Sequence, residues 1–255
     1  MNTSLYLPVQ AGFILLTVVY IALLLREFRK AMVLTTWDPS RKKRFMRAAL
    51  LTIFTWGVFV TVWSLSGRMS DFSMFPFNLL PVLLIPVIML LVFITSKGLN
   101  EVLQKVPPAN LIRLQSFRFF VEILLWMLFI DNLLPVQLTF EGRNFDILAG
   151  ITAPVIAWLA VSGKVSKNGI LIWNILCLGL LLNIVITAIL STPSPWRVFM
   201  NEPANTIVAD FPISWLPGFL VPLAYYLHIF SLKQIFQTTA KLNTAREADP
   251  LPVEK

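Results

Sequence analysis

Three charged side chains, Arg118, Glu122 and Asp131, interrupt one apolar run of the sequence. Ionisable groups inside such a run are costly in lipid, and they mark solute sites, proton relays or ion pairs. Arg118 and Glu122 are four residues apart, so on a helix they share a face and can pair. A plainer reading is that Arg118 snorkels to the bilayer surface and Glu122 only neutralises it. Later apolar runs add Asn174, Asn183, Tyr225 and His228. Glu122 and His228 together could act as an acid–base pair. A second polar group is the segment 139–146, which carries Glu141, Arg143, Asn144 and Asp146 around Gly142. Glycine permits a turn there, and Asn144 or Asp146 could cap a following helix. With Asp131, these residues form a candidate external site, against the alternative of a simple structural turn.

Residue usage excludes several chemistries. One cysteine, Cys177, allows no intramolecular disulfide, and one histidine, His228, allows no site built from several histidines. No cofactor and no metal site are expected. The net charge of +8 and pI near 9.9 would suit nucleic acid in a soluble chain. Here the basic residues alternate from one connection to the next, which is a membrane-orientation pattern, so nucleic acid is not an expected partner.

These residues must be positioned by membrane helices. Hydrophobic residues make up 57% of the 255-residue chain, charged residues only 13%, and the mean hydropathy is +0.76. Soluble domains carry roughly 25% charged residues, so lipid must be the main solvent. Seven runs approach the ~20 residues that cross a bilayer, at about 9–25, 48–66, 77–96, 115–136, 146–163, 169–191 and 211–232. The expected fold is an all-α, polytopic, seven-helix membrane domain over residues 1–233, with a largely disordered cytoplasmic tail over 234–255. Residues 1–10 carry no basic side chain, so the first run reads as a retained helix and not as a cleaved leader. Of the 21 lysines and arginines, all but Arg68, Arg143 and Arg197 fall on one side of these runs. That side is expected to be cytoplasmic, with the N-terminus outside, in the plasma (cytoplasmic) membrane. The basic segment 26–47 could engage anionic lipid.

The third and seventh runs resemble each other. Residues 75–97 read FPFNLLPVLLIPVIMLLVFITSK and residues 211–233 read FPISWLPGFLVPLAYYLHIFSLK. Pro76, Pro81 and Pro86 align without gaps on Pro212, Pro217 and Pro222. Gly12 can be set against Gly150, and Gly57 against Gly179. The pattern reads as a three-helix unit, a linker helix and a parallel second copy. In plan, this layout resembles the SWEET and PQ-loop transporter families, which implies a 3+1+3 arrangement and transport of a small solute. Their Pro-Gln motif is absent, so no site residue is carried over. A rhodopsin-like retinal site is not expected, because Lys233 lies at the cytoplasmic end of the last run.

Counting 1.5 Å per residue from the cytoplasmic ends puts Glu122 about 10 Å deep, Asn174 about 8 Å and His228 about 6 Å, with Tyr225 one turn further. The expectation is one buried or hydrated ligand site formed by Glu122, Asn174, Tyr225 and His228, with Arg118 at its cytoplasmic mouth. The favoured function is a small-solute transporter or channel. The alternatives are a sensing or assembly protein acting through partners, and an intramembrane enzyme acting on lipid.

Overall fold

Two long helices open the chain because nothing interrupts them. α1 (Tyr6–Val33) has its only proline, Pro8, in the first turn, where a missing N–H costs little. α2 (Pro39–Leu65) starts where Asp38 accepts a hydrogen bond from the Arg41 N–H and Pro39 occupies the first helical position. The computed structural model describes residues 5–248, with side chains through residue 237. The described residues contain helices and turns and no strand.

Proline and serine set the next elements. α3 (Leu80–Thr95) has Pro81 in its first turn and Pro86 in its interior. It ends at Ser96, whose extended backbone breaks the helix and whose hydroxyl caps α4 (Lys97–Leu103), leaving the two helices bent by 78°. α5 (Pro108–Leu114) is followed, after a break at Gln115 and Ser116, by α6 (Phe117–Ile130). Asn132 takes a left-handed conformation (φ 55°) and closes α6. The Asn132 N–H bonds the Phe129 carbonyl and the Leu133 N–H bonds the Leu128 carbonyl, both at 2.9 Å, a Schellman arrangement that satisfies the last turn. α7 (Ile147–Val161) and α8 (Lys167–Ile189) follow, the latter capped by Ser166. Near the C-terminal end, a wide π turn over Leu216–Leu220 carries Pro217 and leads into α9 (Val221–Ala248). The Phe75-Pro76 and Phe211-Pro212 bonds that precede α3 and this turn are both cis.

This is a membrane protein by length and composition. Four segments are long and apolar enough to cross a bilayer: α1, α2, α8 and Leu216–Gln237. The bent pair α3 and α4 makes a fifth if taken as one span. The other two expected spans come out shorter. Run 115–136 yields α6 with 14 residues and run 146–163 yields α7 with 15, roughly 21 and 22 Å, against a ~30 Å hydrocarbon core. Hydropathy did not register the break at Gln115 and Ser116 or the reversal at Asn132. α9 continues to Ala248, and residues 249–255 of the expected tail lie outside the described residues. The two similar proline segments end differently as well, since α3 breaks at Ser96 whereas α9 runs on.

α6 lies between α1 and α7, α5 packs on α7 and α9, and α8 packs along α9. Phe13, Phe117, Leu128 and Leu227 belong to the main core. A smaller core joins Ala149, Ala153 and Ala157 of α7 to Ala109 and Ile112 of α5. Here small side chains allow close backbone approach, the usual currency of helix packing in lipid. α2 is peripheral, and only its Val60 and Ser64 are buried. Leu51, Phe54, Val92, Val155 and Leu176 point outward, as lipid-facing residues do.

Candidate functional site

The approach of α7 to α6 builds the site. A Cβ on Gly150 would stand 2.2 Å from the Phe119 amide nitrogen, so only glycine lets the helices meet one residue beyond Arg118. The segment that feeds α7 is folded tightly on itself. A Cβ on Gly142 would stand 2.3 Å from the Val136 carbonyl oxygen. The Asn144 N–H bonds the Thr139 carbonyl at 3.2 Å, which turns Asn144 and Asp146 into the bundle. Both are buried, as are Gln137 and Thr139. Within a bilayer, irregular backbone is tolerated only where protein or a water-filled cavity covers it.

Arg118 is the hub, with 1% of its surface exposed. Its Nε donates to Asp146 Oδ2 at 2.6 Å, and its Nη2 donates to Asp146 Oδ1 and, at 3.1 Å, to the Cys177 carbonyl of α8. Its Nη1 lies 2.8 Å from His228 Nε2. A guanidinium can only donate, so Nε2 must be the bare nitrogen and His228 is the neutral tautomer protonated at Nδ1. That proton goes to Asn174 Oδ1 at 2.9 Å. The Asn174 amide then donates to the Ile170 carbonyl at 2.9 Å and to Ser231 Oγ at 3.1 Å. The chain of bonds ties α6, α7, α8 and α9 together, and each donor and acceptor role follows from the arginine.

Glu122 stands one turn beyond Arg118 and is equally buried. Its hydrogen-bond partner is the Asn144 amide, whose Nδ2 is 2.7 Å from both carboxyl oxygens and 3.1 Å from the Leu138 carbonyl. Asn144 Oδ1 accepts from the Asp146 N–H at 3.1 Å. Asp146 therefore has a bidentate cation and Glu122 has one neutral amide. Arg118, Glu122 and Asp146 are the ionisable part of the lining of a cavity of about 110 Å³. Its walls are mostly apolar, among them Val121, Leu181, Val185 and Leu220, with Thr192 and Asn205 the further polar residues.

The two groups read from the sequence are thus regrouped. Glu122, Asn174, His228 and Arg118 share one network with Asn144 and Asp146, which had been assigned to an external site. Arg118, the second residue of α6 after the break at Gln115 and Ser116, is the centre of this network. Asp146 occupies the N-cap position of α7 without a capping bond, since its carboxylate is bound to Arg118. No hydrogen bond joins Glu122 to His228, so the acid–base pair is not formed. Tyr225 stands apart, its buried hydroxyl without a hydrogen-bond partner. The other members of the external group are dispersed. Asp131 accepts from the Leu5 N–H at 3.2 Å, Glu141 from Trp126 Nε1 at 2.6 Å, and Arg143 lies over the Phe199 ring at 5.3 Å. Asn183 donates to the Arg143 carbonyl. Ser231 was not singled out, although its position three residues after His228 puts both on one helical face.

Among known families, the model described as "Domain of unknown function (DUF8737)" matches residues 74–236, which contain every residue of the network and exclude α1 and α2. No curated protein and no solved structure matches the chain.

Proposed function

The chain belongs to the DUF8737 family, and from that premise we propose that it is a membrane transport protein whose solute seat is the cavity above Glu122. The observation that carries this reading is a fully buried carboxyl group with one neutral hydrogen-bond partner, facing a mostly apolar cavity that Arg118, Asp146, Thr192 and Asn205 also line. Apolar pockets with a few convergent polar groups are the usual form of small-molecule sites. Solute and ion sites in transporters form where helices are discontinuous, and α6 and α7 both stop short beside this one. Arg118 is already bound to Asp146, so the group free to answer a ligand is acidic. The solute class is a small molecule with an apolar body and an amine or other donor head group, or a proton moving with it. The accompanying architecture is seven membrane crossings in a parallel 3+1+3 plan, with the N-terminus outside and the basic connections in the cytoplasm of the plasma membrane. The three matched prolines and the one-sided distribution of lysine and arginine support it.

The test uses the full chain purified in detergent and an isosteric series of hexylamine, hexanol and hexanoate. Hexylamine raises the melting temperature and the other two do not. At a hundredfold excess over Kd, binding adds about 2.7 kcal/mol to stability. Glu122→Gln removes the amine response. A response to hexanoate equal to that of hexylamine refutes the assignment of the seat. Uptake of labelled hexylamine into proteoliposomes separates a carrier from a sensor, which binds without uptake.

A further inference from the structure

A second cavity, of about 270 Å³, lies between α1, α2, α3 and α9, away from the charged network. α2 presents Phe45, Ala49, Thr52 and Trp56 to it, spaced four, three and four residues apart, which is one helical stripe. The polar atoms that reach the lining from Trp56 and Tyr226 are already used. Trp56 Nε1 donates to the Gly218 carbonyl at 2.8 Å, and the Tyr226 hydroxyl donates to the Pro86 carbonyl at 2.6 Å. A water needs two to four polar partners, and cavities of roughly half this size with aliphatic walls stay dry and take up hydrocarbon. Ala48, also on the lining, is exposed, so the cavity opens at the surface of α2. The flanking surfaces are themselves lipid-facing: Leu50 and Leu51 on α2, Ile88 and Val92 on α3.

The same stripe continues one turn towards the helix start and reaches Lys42. Among the described residues, every acid at this end of the bundle is engaged. Glu27 bonds Lys30 and Asn110, Glu101 bonds Trp37 and Arg41, and Asp38 caps α2. Lys42, Lys43, Arg44 and Arg47 have no acidic partner among the described residues. From Phe45 to Trp56 the stripe rises about 16 Å at 1.5 Å per residue, which is roughly half of a ~30 Å hydrocarbon core, the depth of one leaflet.

We propose that this cavity holds one acyl chain of an anionic phospholipid of the surrounding membrane, with the phosphate at Lys42 and its basic neighbours. The apolar walls take the chain, and the unpaired cations at the foot of the stripe select the charge of the head group. The seat is independent of Glu122 and of the solute it binds.

The experiment reconstitutes the full chain in vesicles of equal phosphatidylcholine and phosphatidylglycerol, extracts it gently and weighs the retained lipid by native mass spectrometry. The expected result is one retained lipid per chain, with phosphatidylglycerol favoured several-fold. Ala49→Phe fills the cavity and loses the lipid, while Leu51→Phe, on the outward face of the same helix, keeps it. The triple change Lys42→Gln, Lys43→Gln, Arg44→Gln keeps a lipid and loses the preference. Quenching by phosphatidylglycerol brominated on its acyl chains gives a second readout: it is stronger for the wild type than for Trp56→Phe, which lacks the fluorescent indole at the cavity. Absence of retained lipid from the wild type, or equal retention by Ala49→Phe, overturns the seat. An unchanged preference in the triple variant overturns the head-group assignment.

Discussion

Removing the Asp146 carboxylate tests whether the buried ion pair organises the bundle. Asp146→Ala leaves the Arg118 guanidinium sealed from water without its bidentate partner. Breaking a buried pair from one side costs about 3–5 kcal/mol, because the remaining charge is uncompensated. An ordinary hydrogen bond between membrane helices is worth ~0.6 kcal/mol on average. The two figures are far enough apart to decide between an organising ion pair and an incidental contact. Arg118→Met alone strands Asp146 and removes the donor to His228 Nε2 and to the Cys177 carbonyl, so it falls in the same range. The double variant Arg118→Met, Asp146→Ala loses both charges together and recovers part of the loss, giving a coupling of about 2 kcal/mol or more. The assay is reversible unfolding in mixed micelles titrated with denaturing detergent, run on all four corners of the cycle. A loss below ~1 kcal/mol for Asp146→Ala, or additive single changes, refutes the claim that the pair holds α6 and α7 in place.

Other outcomes follow from the same geometry. Gly150→Ala drives a Cβ into the α6 backbone and destabilises by about 1–3 kcal/mol, whereas Gly179→Ala, with nothing within 4 Å, gains up to ~1 kcal/mol of helix propensity; the same unfolding assay compares them, and equal effects argue against the close crossing. Asn144→Leu takes away the hydrogen-bond partner of Glu122 and costs about 1–3 kcal/mol, and adding Glu122→Leu restores most of it; an unrecovered loss shows that Asn144 acts through the 136–144 turn instead. In intact cells, cysteines placed at the exposed positions Glu141 and Glu202 react with an impermeant maleimide, and one at Thr36 reacts only after permeabilisation; the reverse pattern overturns the orientation.

Hydropathy and charge made much of this protein legible from its residues. A chain with so few charges has to use lipid as solvent, and helices are then the cheapest way to satisfy the backbone. Ionisable groups inside apolar runs are rare enough that Arg118, Glu122 and His228 stood out without coordinates. The depth of each group was another matter. It was counted from residue 115, the start of an apolar run, while the helix that carries Arg118 and Glu122 begins at Phe117 after a break. Asn144 and Asp146 sit in a polar segment that ends at the first residue of the fifth run, which a linear reading places in water. Only the fold of that segment, permitted by Gly142 and Gly150, turns them inward to Glu122 and Arg118. The apolar cavity beside α2 was equally invisible, because α9, more than a hundred residues further along the chain, closes it against α1, α2 and α3. Local composition decides which solvent a segment prefers; which side chains meet is decided by backbone approach distances that arise when the helices pack.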